Sequence, residues 1–115
     1  MSDPAAQEHS APLCDAALGQ AFALLGKRWN GVILGALMQG PAGFVEVRRA
    51  TGISDSVLAD RLAELTAAGL VLREVEEGPP VAVHYRLAPP GTALVPVLND
   101  LMSWARDHLD APDPC

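Results

Sequence analysis

Residues Phe44 to Ala68 read F-V-E-V-R-R-A-T-G-I-S-D-S-V-L-A-D-R-L-A-E-L-T-A-A, and two short helices joined by a tight turn fit that string. The first covers about Phe44 to Thr51. Gly52 and Ile53 form the turn, because glycine takes the positive φ that ends a helix. Ser54 is placed to cap the second helix with its side-chain oxygen, and Asp55 suits the positive end of the helix dipole. Leu58, Leu62 and Leu65 recur at i, i+4 and i+7, so one stripe is buried. Ser56, Asp60, Ala63 and Ala67 lie on the opposite face. Two short helices with a glycine turn make a helix-turn-helix, whose second helix commonly enters a DNA major groove. An αα-hairpin in a small bundle fits the same residues.

The residues after the motif separate the two readings. Gly69 ends the second helix. Leu70 to Glu76 reads as a strand, Glu77-Gly78-Pro79-Pro80 as a turn, and Val81 to Leu87 as the returning strand with Val83, Tyr85 and Leu87 on one face. A hairpin after a helix-turn-helix is the winged-helix order. Ala88-Pro89-Pro90-Gly91 then leads to a last helix, with Thr92 as its expected cap and Pro96 in its first turn. Leu94, Leu98, Leu101, Ala105 and Leu109 form its stripe, widened by Val95, Met102 and Trp104. Upstream, residues 13–25 form a helix with Leu18, Phe22 and Leu25 on one face. Gly26 breaks it, and residues 27–38 form an apolar central helix. The expected organisation is a tail over 1–12, a winged domain with dimerisation helices over 13–109, and a tail over 110–115. So wide an apolar surface on the last helix and on the helix 13–25 favours a second copy as its cover over a helix folded back on its own core.

Bulk properties exclude several classes. The chain has 115 residues, half of them apolar, which suits one domain with a modest core. No apolar run reaches the length of a membrane span. The opening M-S-D-P-A-A-Q-E-H-S has no basic region and no apolar stretch, so no signal peptide is expected and a cytoplasmic protein is the default. Two cysteines make no disulfide framework. His9, His84 and His108 lack metal spacing, and no catalytic constellation or phosphate loop stands out, so neither enzyme activity nor a cofactor is expected. The net charge of −6 sits awkwardly with DNA binding. Over 44–73, however, Arg48, Arg49, Arg61 and Arg73 balance Glu46, Asp55, Asp60 and Glu64. The face that meets DNA decides, not the total.

The order helix, helix, helix-turn-helix, hairpin, helix resembles the HxlR-type branch of the MarR-like winged-helix transcriptional regulators, from about Cys14 to Trp104. The resemblance rests on Gly26-Lys27-Arg28-Trp29, on Gly40-Pro41 with Phe44-x-Glu46-Val47-Arg48-Arg49, and on Gly52-Ile53-Ser54. It continues through Val57-Leu58-Ala59-Asp60-Arg61-Leu62-x-Glu64-Leu65, Ala68-Gly69-Leu70-Val71, Val83-x-Tyr85-x-Leu87 and Gly91 before Leu94-x-Pro96-Val97-Leu98. It implies a homodimer that binds double-stranded DNA and responds to a small molecule or to thiol oxidation. The chain departs from the family at three positions. Ser56 stands where Lys is frequent, Ala59 where Thr is frequent, and Ala82 where the wing often carries Arg.

The candidate DNA contacts lie in the motif and the wing. Arg48 and Arg49 end the first helix of the motif and suit phosphates. Ser54, Ser56 and Val57 open the reading helix. Asp60 accepts from a cytosine amino group in principle, and Arg61 reaches either DNA or Glu64. Arg86 lies near the base of the wing. Cys14, near the start of the first helix, matches the N-terminal region where thiol-sensing relatives carry cysteine. Phe22, Trp29, Met102 and Trp104 are candidates for an apolar ligand pocket at the dimer interface. The acidic wing, with Glu74, Glu76 and Glu77, keeps a second reading open: a protein-interaction module with weak or lost DNA binding.

Overall fold

A computed structural model describes residues 16–110. Its backbone groups into two compact units, one up to Gly31 and one from Val32. In the first, α1 is helical over 16–25. The Gly26 N–H donates to the Phe22 carbonyl at 2.7 Å, and the helix stops there. The next helix, α2 (Asn30–Leu37), begins three residues later than residue 27, where the sequence places it. Lys27 to Trp29 form a turn instead. The Asn30 N–H returns to the Lys27 carbonyl at 3.2 Å, and the Asn30 side-chain amide donates to the Leu24 carbonyl at 2.7 Å. Trp29 takes φ 83 in this turn, and the Arg28 guanidinium lies 4.6 Å over its ring.

The second unit is a winged helix-turn-helix: mainly α, with one small hairpin. Its elements after α2 are α3 (Phe44–Thr51), α4 (Asp55–Ala67), β1 (Val71–Glu76), β2 (Ala82–Leu87) and α5 (Pro89–His108). Ile33, Leu34 and Leu37 of α2, Val47 of α3, Leu58, Leu62 and Leu65 of α4, and Val71 of β1 are all at most 2% exposed and make the core. Each buried Leu contributes about 1.5–3 kcal/mol relative to an exposed one.

Gly52 holds the helix-turn-helix angle at φ 75, the left-handed value expected of it, and its N–H donates to the Arg48 carbonyl at 2.8 Å. Ser54 is the N-cap of α4 by its extended backbone, yet its side chain makes no cap hydrogen bond, contrary to the sequence expectation. The helix starts on the backbone alone, with the Leu58 N–H on the Ser54 carbonyl at 2.9 Å, and Asp55 supplies the first-turn charge.

The hairpin is antiparallel, with Val71 opposite Leu87, Arg73 opposite Tyr85 and Glu76 opposite Ala82. By strand alternation, Leu72, Glu74 and Glu76 share one face with Ala82, His84 and Arg86. Val71, Arg73 and Val75 share the other with Val83, Tyr85 and Leu87. On β1 the buried residue is Val71, and Leu72 is half-buried on the opposite face. Ala42 pairs with Tyr85 through two backbone bonds of 2.9 and 2.8 Å, which ties the loop before α3 to the sheet.

The last helix starts earlier than expected. Ala88 is its N-cap, and Pro89 and Pro90 fill its first two positions, where a missing N–H costs nothing. Thr92 is therefore inside the helix. Pro96 lies in the helix interior rather than the first turn, and leaves the Thr92 carbonyl without its i+4 donor. Gly91 is buried where any Cβ would collide with the Leu70 carbonyl, and that carbonyl is itself fixed by the Ala88 N–H at 2.9 Å.

Candidate nucleic-acid interface

The burial of Leu58, Leu62 and Leu65 sets the rotation of α4. Ser54, Asp55, Ser56, Val57, Ala59, Asp60, Ala63 and Ala67 are all exposed. The face opposite the leucines is thus bare in the protein's own fold, as the heptad-like spacing predicts. At its N-terminal end stand two serines and Val57, 36% exposed. Farther along are small side chains and Asp60.

The charges around this face are largely committed to one another. The Arg48 guanidinium meets the Asp55 carboxylate at 3.0 Å, from the last turn of α3 to the first turn of α4. Both are well exposed, so the pair contributes at most about 1 kcal/mol to stability. Its consequence is electrostatic: Arg48 reaches a phosphate only in exchange for Asp55. Arg61 is held along its own helix by Asp60 and by Glu64, the latter at 3.0 Å. Arg86 meets Glu74 at 3.0 Å across the hairpin, and His84 lies 3.6 Å from Glu76, a charged pair only when His84 is protonated.

The structure therefore sorts the sequence candidates. Ser54, Ser56, Val57 and Asp60 share the bare face of α4. Arg48 and Arg49 close α3 just before it, and Arg49 is exposed with no ion pair among the described residues. Arg61 sits on the flank toward its own carboxylates, and Arg86 lies on the glutamate-bearing face of the hairpin. Cys14 falls outside the described residues. Phe22 on α1 is 59% exposed, Met102 and Trp104 on α5 are 40% and 52% exposed, and Trp29 is half-buried in the turn before α2.

Sequence reasoning missed one feature. Ala59, Leu62, Ala63, Thr66 and Ala67 of α4 face Arg73 and Tyr85 of the hairpin across a cleft of about 420 Å³. Arg73 is exposed and makes no ion pair among the described residues. Strand alternation carried the signal, since Arg73 falls opposite in phase to Glu74 and Glu76.

Comparison with known proteins places this geometry. A profile of the HxlR-like helix-turn-helix matches residues 24–113. The HTH-type transcriptional regulator YodB of Bacillus subtilis is 44% identical over 94 residues, spanning 81% of this chain and 84% of that protein. The reduced form of YodB superposes with a TM-score of 0.75 at 38% identity, covering 98% of this chain and 100% of that one. Its quinone-bound form gives 0.69 at 41% identity, over 79% and 96% of the two chains. The redox regulator HypR in its reduced form gives 0.77 at 29% identity, over 82% and 94%. A MarR-family regulator from Enterococcus faecalis V583 gives 0.74 at 34% identity, over 81% and 86%.

Proposed function

This chain belongs to the HxlR-like helix-turn-helix family, and from that premise we propose that it works as a cytoplasmic homodimer whose two α4 helices read successive major grooves of an operator. It is a transcriptional regulator rather than an enzyme. The observation that carries the finer reading is the bare face of α4, with its serines and Val57 at the end that enters the groove first. Serine hydroxyls hydrogen-bond base edges or phosphates, and the Val57 methyls suit a thymine methyl. Arg49 and, after release from Asp55, Arg48 hold phosphates and set the register. Arg61 and Arg86 reach a phosphate only on leaving the carboxylates that hold them. Asp60, likewise engaged, accepts from a cytosine amino group once Arg61 turns away.

Dimerisation is supported by apolar side chains that the single chain leaves bare. On α5, Val97, Leu101, Met102 and Trp104 are between 40% and 56% exposed, and on α1 Leu18 and Phe22 are each 59% exposed. Surfaces of this kind mark contacts between proteins.

A mobility-shift titration against the protein's own upstream DNA, at several salt concentrations, tests the reading. The expected result is a shift that weakens with salt and falls by roughly 10- to 100-fold in the Arg48→Ala/Arg49→Ala double variant, as two lost phosphate contacts imply. No shift at low salt would leave an interaction module instead.

The signal is proposed to be an oxidant or electrophile acting at Cys14. Its support is the similarity to YodB, a regulator solved in reduced and quinone-bound forms. Diamide, which takes two electrons and two protons from Cys14 and Cys14 of the second copy to join them as a disulfide, or a benzoquinone, which adds to the Cys14 thiolate, is expected to release the wild-type protein from DNA. The Cys14→Ser variant should stay bound, and Cys115→Ser should be released like wild type. Release of the Cys14→Ser protein removes that thiol from the mechanism.

A further inference from the structure

We propose that the cleft between α4 and the hairpin receives the sugar-phosphate strand flanking the major groove, with Arg73 holding one of its phosphates and Tyr85 beside it. This rests on α4 being the reading helix. Three observations carry it.

The first is the distribution of free positive charge. Around the motif and hairpin, Arg48, Arg61 and Arg86 each face a carboxylate at hydrogen-bond distance. Among the described residues, Arg49 and Arg73 do not. A guanidinium already paired must surrender its carboxylate before it gains a phosphate, and the net gain is small. An unpaired one offers its full charge-assisted fork.

The second is the sidedness of the hairpin. Glu74 and Glu76 lie on the face with His84 and with Arg86, which pairs with Glu74. Arg73 lies on the other face and lines the cleft against α4. The acidic strand residues that looked repulsive in the sequence are therefore turned away from the cleft, and the cation is turned toward it.

The third is access. The exposed side chains on the α4 wall of the cleft are the methyls of Ala59, Ala63 and Ala67, with Thr66 half-buried and Leu62 buried among them. Tyr85 spends both its backbone groups on Ala42, so its pairing with Arg73 is the non-hydrogen-bonded kind, in which side chains stand closest. Tyr85 lines the same cleft and brings a hydroxyl donor of its own.

Phosphate contacts carry no sequence information, which gives the test its form. Binding of the full-length protein to its own upstream duplex and to an unrelated duplex is titrated across salt for wild type, Arg73→Ala, Arg73→Lys and Arg49→Ala, with thermal unfolding of each. Arg73→Ala is expected to weaken both duplexes alike, by roughly tenfold at low salt. It should also flatten the dependence of log K on log salt by about one. Arg73→Lys should restore the slope. Should Arg73→Ala fold poorly, Arg73→Glu gives the same comparison with a larger loss. Wild-type affinity and slope in Arg73→Ala, with Arg49→Ala weakened, overturn the role of Arg73 and leave α4 as the reading helix. No wild-type binding at low salt overturns both.

Discussion

Replacing Leu101 with Asp is expected to leave a folded monomer that no longer holds operator DNA. Leu101 is 49% exposed on α5, so in a single chain the carboxylate stays in water and stability changes little. Against a second copy the same carboxylate would lie among Val97, Met102 and Trp104 without a cation. Burying it there costs several kcal/mol, enough to separate the protomers at micromolar concentration. A monomer presents one α4 where the dimer presents two, and loses the roughly 10²- to 10⁴-fold gain of simultaneous engagement. Sedimentation equilibrium beside a mobility shift reads both effects. The same change at Leu98, only 8% exposed, should unfold the chain instead. A Leu101→Asp protein that sediments as a dimer would show that α5 is not the interface. Retained affinity in a monomer would show that one α4 suffices.

The fold was legible where hydrophobic spacing and turn chemistry agreed. The three leucines of α4, Gly52 at positive φ and the Val83, Tyr85, Leu87 phase of β2 all stand as the sequence reads. Element starts were less legible, because the residues that set them act through specific bonds rather than through periodicity. Asn30 begins α2 by reaching back to Leu24, which no pattern announces. Pro89 and Pro90 look like a linker and are the first turn of α5. Ser54 has the side chain of a cap and does not use it. For the site, the rotation of α4 was readable and the pairing of charges was not. Whether Arg48 faces solvent or Asp55 depends on the angle across Gly52, and whether Arg86 faces phosphate or Glu74 depends on strand register. Arg73 was passed over for the same reason, since only the register separates it from its acidic neighbours.

The sharpest test of α4 is Ser56→Glu, in which stability and DNA binding are expected to move in opposite directions. Ser56 is exposed in the first turn of α4, where a carboxylate interacts favourably with the helix dipole. The variant should unfold at the same temperature as wild type or slightly higher, with a gain of about 0.3–1 kcal/mol. In the groove the same carboxylate faces phosphates and base edges with no partner, beside Asp55 and Asp60. An unpaired charge at an interface costs about 2–5 kcal/mol, so affinity should fall by roughly 30- to 1,000-fold. Misfolding lowers both quantities, which is why their opposition is diagnostic. Ser56→Lys should do the reverse to binding, tightening it and steepening the salt dependence by about one unit. A Ser56→Glu protein that binds operator like wild type would mean that this face of α4 is not the one that meets DNA.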